Sequence, residues 1–286
     1  MKIPKVSVLT PIYNTKESWL RECIESILNQ TFKDFEFIIL NDSPWNKELE
    51  KIVKSYNDSR IKYFENKENL GITKSRNKLL DLAKGEYIAV FDHDDISLPQ
   101  RLEKEVNFLD NNKQYGVVSC NYTRIPKKDY TSKHPNSNFD IKNALCEKMI
   151  CLHTGMMIRK SILIENNIKY EEKYSPAEDY MLCARLIEYT MFYNLKDILI
   201  YYRMDNNNTT NLQNLKMQDA DLLIRNFIKN KYPILKENIH TKTTYWHYLF
   251  SFIPFIKVEK TKHKIKYALF GLIPLLKIAK RKINVC

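Results

Sequence analysis

The stretch AVFDHDDISLP, Ala89 to Pro99, sets Asp92, His93, Asp94 and Asp95 at the end of an apolar run. Carboxylates this close raise one another's pKa and repel, so a cation is their natural complement. Mg²⁺ and Mn²⁺ take oxygen ligands and hold phosphate through one or two acidic side chains. Local sequence leaves a second reading open, a strand-to-helix turn in which Asp95 or Ser97 caps the helix after Pro99. A further carboxylate, Asp42, closes the run FEFIIL from Phe35 and can accept a nucleobase N–H or a ribose hydroxyl. Arg76, with Asn69, Gly71 and Asn77 around it, sits where a guanidinium can meet phosphate or orient an aspartate. Farther on, Glu178 and Asp179 adjoin in AEDYMLCARL, which local sequence alone reads as acidic residues in a helix's first turn.

These residues need a scaffold that brings them together. VSVLTPIY from Val6, FEFIIL, Ile61–Phe64, Tyr87–Phe91 and Val117–Tyr122 read as strands. Between them Leu20, Ile24, Ile27 and Leu28, then Leu49, Ile52, Val53 and Tyr56, recur at helical spacing, and helices are expected over Ile72–Ala83 and Arg101–Asn111. A βαβαβ order predicts an α/β fold with a Rossmann-like, doubly wound, mostly parallel sheet. In such sheets ligands bind beyond the carboxyl ends of the strands, so Thr10, Pro11, Tyr13 and Asn14, Asn41 and Asp42, and Asp92–Asp95 should share one edge. The five glycines form neither GxGxxG nor GxxxxGK[ST], which argues against a dinucleotide dehydrogenase or a P-loop enzyme.

The net charge of +12 is concentrated late: Thr241–Cys286 carries ten Lys/Arg against one Glu, leaving +3 for everything before it. The main body offers no basic and aromatic platform for nucleic acid. Six cysteines without a CxxC pair, and no cleavable leader before Val6, point to a reduced cytosolic setting with small buried thiols.

VSVLTPIYN, IILNDS, ENLGITKSRN, FDHDD and AEDYMLCARL, in this order, resemble the successive motifs of family-2 inverting glycosyltransferases of the GT-A fold. The resemblance spans Val6 to Arg203. It implies that Pro11, Tyr13 and Asp42 cradle the nucleobase of a UDP-sugar and that Arg76 and Asp92 lie near ribose and diphosphate. It further implies that Asp94, with Asp92, holds Mn²⁺ or Mg²⁺ in a DxD motif whose middle position is His93. By the same resemblance Asp179 is the base that activates the acceptor hydroxyl, with Glu178 beside it, and CLHTGMMIRKSIL brings His153 and Thr154 to the acceptor side. Two departures stand out: NDSP replaces the commoner NDGS, and Asp205 occupies the approximate place of a late histidine.

The resulting expectation is a catalytic domain over 1–210 that transfers sugar to a bacterial surface glycan such as lipooligosaccharide, capsule or a lipid-linked oligosaccharide. A helical, basic, amphipathic extension over 211–286 follows, in which FSFIPFIKVEK and FGLIPLLKIAK repeat with a period of 20. Neither apolar run is long enough to cross a bilayer. Their mixture of apolar knots and lysines suits an anionic membrane surface, hence a peripheral protein on the inner face of the cytoplasmic membrane. The competing readings are a sugar-phosphate nucleotidyltransferase, which needs a glycine-rich basic loop that TPIYNTKE lacks, and a membrane-associated glycan-binding or scaffold protein with a degenerate site.

Overall fold

β1 (Val6–Ile12) and β2 (Phe35–Asn41) are buried at every position, as parallel strands covered on both faces must be. They lie in the computed structural model of the chain, which describes residues 3–205 and 214–232 and the backbone of 243–249, 253–260, 264–269 and 273–279. β3 (Ile61–Glu65), β4 (Tyr87–Val90), β5 (Ile96–Ser97), β6 (Tyr115–Ile125), β7 (Met157–Arg159) and β8 (Met191–Arg203) complete a sheet of order β3-β2-β1-β4-β7-β6-β8-β5. The helices supply its cover. α1 (Glu17–Leu28) buries Leu20, Cys23, Ile24 and Ile27, and α2 (Lys47–Lys54) buries Leu49, Ile52 and Val53. α3 (Ile72–Leu82) and α4 (Arg101–Asn111) follow β3 and β5, and α5 (Asn138–Leu145) and α6 (Lys160–Glu165) follow β6 and β7. Cys23, Cys120, Cys146, Cys151 and Cys183 are buried; Cys286 lies outside the described residues.

The sheet is parallel from β3 to β4 and again between β6 and β8, while β7 runs antiparallel to both β4 and β6. β5 is likewise antiparallel to β8, but it is the reversal at β7 that has a consequence for the site. Because Met157 pairs with Ala89, the start of β7 adjoins the end of β4. The turn His153–Gly155 therefore arrives beside Asp92.

α4 is anchored behind the acidic loop by an ion pair with no solvent exposure, Arg101 Nε to Glu105 Oε1 at 3.1 Å. Arg101 also donates from Nη2 to the Val90 carbonyl at 2.8 Å, which ties α4 to the end of β4. Burial pushes the Glu105 carboxyl up to about 7 against the pull of Arg101.

The extension, expected to be helical throughout, contains a helix over Asn214–Lys231 and then turns to strands. Thr243–Leu249, Ile253–Lys260, Lys264–Leu269 and Ile273–Ala279 form β9 to β12, an antiparallel sheet of sequential neighbours. The reason is readable in hindsight: KIKYAL alternates with period 2, and Pro254 and Pro274 oppose a helix interior. Each proline lies near a strand start beside a register shift, where proline is tolerated. The two repeats thus become β10 and β12. The chain divides into units Met1–Phe227 and Ile228–Cys286, whereas the expected boundary at 210/211 lies outside the described residues.

Glu105→Leu should cost about 3–5 kcal/mol in urea unfolding, because it strands the buried Arg101 guanidinium. Arg101→Met combined with Glu105→Leu should recover most of that loss. Equal destabilisation by the single and double variants would contradict the pairing.

Candidate active site

Beyond β1 and β2 the chain is stitched into one ledge. The Asp42 N–H donates to the Ile12 carbonyl at 2.9 Å, and the Asn14 N–H to Ser43 Oγ at 3.1 Å. Asn14 takes a left-handed φ of 45°, which asparagine tolerates better than most residues. Tyr13 is 46% exposed and Trp45 58% exposed, their rings perpendicular with centroids 6.0 Å apart. Two residues expected on the donor side lie deeper than this ledge. Thr10 is wholly buried and donates to the Phe91 carbonyl at 2.8 Å, joining β1 to β4, and Pro11 is buried within β1.

Asp42 orders the next loop. Its Oδ1 accepts from Asn66 Nδ2 at 2.7 Å and the Leu70 N–H at 2.8 Å, and its Oδ2 accepts from the Gly71 N–H at 2.9 Å. Asn69 Oδ1 accepts from the same Gly71 N–H at 2.8 Å. Gly71 has φ 81°, a conformation strained for any residue with a Cβ, and it starts α3. The helix then carries Arg76 and Asn77 inward. Asn77 exchanges two hydrogen bonds of 2.9 Å with the main chain of Tyr170, so its amide serves as a strut.

Arg76 is the pivot. It is 12% exposed and donates from Nη1 to Glu178 Oε1 at 2.6 Å and from Nη2 to Asp92 Oδ1 at 3.2 Å. Burial pulls the guanidinium pKa down, and Asp92 and Glu178 more than reverse it. Burial likewise pushes Asp92 up, but Arg76 holds it below the usual carboxylate range. The Asp92 N–H donates to Thr154 Oγ1 at 3.0 Å. His153 Nε2 shares a hydrogen bond of 2.9 Å with the Tyr170 hydroxyl, and burial, assisted by Arg76, drops its pKa to about 3, leaving it neutral.

Asp94 and Asp95 divide after Asp92. Asp95 Oδ1 accepts the Arg203 N–H at 2.8 Å, and Arg203 Nε donates to the Asp94 carbonyl at 2.7 Å while its Nη2 pairs with Glu22. Asp95 is therefore a buried support of the loop. Neither it nor Ser97 caps α4, whose N-cap position is Gln100 with no side-chain bond; the Leu102 N–H donates instead to Gln30 Oε1 at 3.0 Å. Burial first, then Asp94 and Asp92, raise Asp95 well above its ordinary pKa. Asp94 is half-buried and raised by burial, with Asp92 adding to it. Among the described residues no three His, Cys, Asp or Glu side chains form a ready metal cage. Asp92 and Asp94 offer oxygen ligands alone, with excess negative charge, which fits a hard cation completed by phosphate oxygens. His93 lies half-buried between them with an unpartnered Nδ1.

α7 (Glu178–Leu186) starts with the acidic pair in its first turn, and Arg76 draws that turn into the crevice. The two sequence readings of Glu178 and Asp179 are thus compatible. Burial and then the neighbouring Glu178 push Asp179 up to about 7 against the pull of Arg76. Trp45, Tyr170 and Arg203 join this site without having been singled out for it from sequence. An exposed tryptophan just past a strand-end aspartate was the one local signal available.

The sequence pattern of Glycosyl transferase family 2 matches residues 7–166. The chain belongs to that family. It is 38% identical over 213 residues to an uncharacterised glycosyltransferase of Methanocaldococcus jannaschii, covering 72% of this chain and 73% of that one. It is 31% identical to a chondroitin synthase of Pasteurella multocida over 76% of this chain but only 22% of the synthase. Among solved structures, S. aureus TarS 1-349 in complex with UDP-GlcNAc has TM-score 0.59 at 23% identity, over 71% of this chain and 60% of that chain. The mannosyltransferase PcManGT of Pyrobaculum calidifontis, in complex with GDP-Man and Mn²⁺, has TM-score 0.62 at 15% identity, over 82% and 69%. These likenesses establish the GT-A fold, and the family makes the chain a glycosyltransferase.

Asp179 titrates at about 7 when folded, against an ordinary 3.8, so its ionisation opposes folding increasingly as pH rises through that interval. Asp179→Asn should raise the melting temperature by a few degrees at pH 8, with the gain vanishing below about pH 4. A gain that does not depend on pH would contradict the shift.

Proposed function

We propose that this glycosyltransferase is inverting and metal-dependent, and moves a hexose from a UDP-sugar to a hydroxyl of a bacterial surface glycan. The observation that carries the reading is Arg76, which joins Asp92 on the donor side to Glu178 and, through it, to Asp179. A carboxylate tuned to about 7 suits a general base working near neutral pH. The TarS complex with UDP-GlcNAc and the PcManGT complex with GDP-Man and Mn²⁺ support a nucleotide-sugar donor.

In this mechanism Tyr13 and Trp45 border the nucleobase, and the free lone pairs of Asp42 accept from it. Asp92 and Asp94 hold Mn²⁺ or Mg²⁺, which when bound neutralises the departing diphosphate. Asp179 takes the acceptor proton at a carboxylate oxygen as the sugar carbon is attacked from the face opposite UDP. Glu178, fixed by Arg76, keeps a like charge beside Asp179 and so keeps it basic. His153, neutral and bonded to Tyr170, shapes the wall without adding charge.

The basic extension is read as the membrane-facing part. Among the described residues no helix is long and apolar enough to cross a bilayer. The lysines of β10 to β12 suit anionic headgroups, each contributing on the order of 1 kcal/mol near the surface. In co-sedimentation with anionic vesicles, a chain ending near Lys236 should lose an association that the full chain shows and that salt weakens. Equal partitioning of the two would remove the membrane role.

Calorimetry and turnover together test the chemistry. Asp94→Ala should abolish the gain in UDP affinity that Mn²⁺ confers. Asp179→Asn should keep it and lose transfer by about 10²- to 10⁴-fold. Undiminished Mn²⁺ dependence in the first variant, or near-normal turnover in the second, would defeat the assignment.

A further inference from the structure

The return of the chain after β6 is a feature that the chemistry above leaves unused. It is a tied hairpin. The Arg124 N–H donates to the Tyr130 carbonyl and the Ser132 N–H to the Tyr122 carbonyl, both at 2.9 Å, and the Thr123 and Thr131 hydroxyls meet at 2.9 Å. Asn121 Oδ1 then fixes the returning limb, accepting from Ser132 Oγ at 3.0 Å and the His134 N–H at 2.9 Å.

Its place in the sheet brings it to the active crevice. Arg124 lies in register with Tyr202, and Ile125 with Arg203, the residue that donates its main-chain N–H to Asp95 and its Nε–H to the Asp94 carbonyl. From there a row of rings leads outward: Tyr202 to Tyr122 at 5.3 Å between centroids, and Tyr122 to Tyr130 at 5.9 Å. Tyr130 is 42% exposed, with the Arg124 guanidinium 4.5 Å from its ring centroid.

The hairpin sequence RIPKKDYTSK carries Arg124, Lys127, Lys128 and Lys133 against the single acid Asp129. Lys127, Lys128 and Lys133 are exposed, and no salt bridge among the described residues neutralises any of the three. Tyrosine rings offer flat, amphipathic contact area, which suits the apolar C–H face of a pyranose. Lysine and arginine supply charge-assisted hydrogen bonds to carboxylate or phosphate.

We propose that this hairpin, with Tyr122 and Tyr202 at its base, is the docking surface for an acidic acceptor glycan. The tyrosines take the sugar faces, and the basic side chains take carboxylate or phosphate groups close to the accepting hydroxyl. The inference rests on the glycosyltransferase mechanism above and adds the chemical class of its acceptor.

Fluorescence anisotropy tests it with four labelled probes: an oligogalacturonate for carboxylate, an oligo(glycerol phosphate) for phosphate, maltohexaose as a neutral glycan and an oligothymidylate as a non-glycan anion. UDP binding in Mn²⁺ is measured alongside by calorimetry. At least one acidic glycan should bind on the order of tenfold more tightly than maltohexaose and oligothymidylate, and its identity separates the two anion sources. Lys127→Glu with Lys128→Glu should remove that preference, as should Tyr130→Ala, with UDP affinity unchanged as the control for folding. An acidic probe bound no better than maltohexaose, a preference that survives both variants, or equal binding of oligothymidylate would overturn the proposal. Loss of UDP binding by the wild-type chain would instead count against the donor reading.

Discussion

A single guanidinium held between two loops is the constraint on which the site depends. Arg76 touches Asp92, at the end of β4, and Glu178, at the start of α7, residues that no other described hydrogen bond joins. Without that cation Asp92, Glu178 and Asp179 would be three carboxylates gathered in a largely buried space, a costly arrangement. The position of Arg76 is inherited in turn. Asp42 gathers Asn66, Leu70 and Gly71, Gly71 starts α3, and α3 delivers Arg76. A substitution at Asp42 would therefore act on Glu178 and Asp179 as well as on the ledge beyond β1 and β2.

The same arrangement sorts four acidic residues into different electrostatic states. Arg76 keeps Asp92 low, while Asp95, shut away from solvent, is raised well above the carboxylate range. Burial raises Asp94 despite the pull of His93 and Arg203, and Asp179 is brought to about 7. Environments that push like groups apart in pKa allow one fold to bind charge at one carboxylate and move a proton at another.

Much of the sheet was legible because hydrophobic period reports secondary structure directly, and the strand-end rule then placed Asp42, Asp92 and Asp94 on one edge. Strand direction is a different kind of information. Nothing in the three residues Met157–Arg159 says that they run against β4, yet that reversal brings Thr154 to Asp92. That Thr10 and Pro11 lie buried within β1 was not legible, because a motif marks a position along the chain and says nothing of depth within the sheet. Arg203 escaped notice since its contact with Asp95 spans 108 residues. The hairpin after β6 gave no local pattern at all; its meaning comes from the rings of Tyr122 and Tyr202, which belong to different strands. In the extension, the apolar knots drew attention to amphipathic helices when the alternation in KIKYAL and the two prolines already spoke for strands.

The coupling through Arg76 is the central claim, and a double-mutant cycle addresses it most directly. Unfolding free energies of Asp92→Asn, Glu178→Gln and their combination should be non-additive by about 0.5–3 kcal/mol, because the two carboxylates share one partner. The coupling should disappear when the cycle is repeated in an Arg76→Met background. Additivity within about 0.5 kcal/mol in the wild-type background, or a coupling that persists without Arg76, would contradict the account.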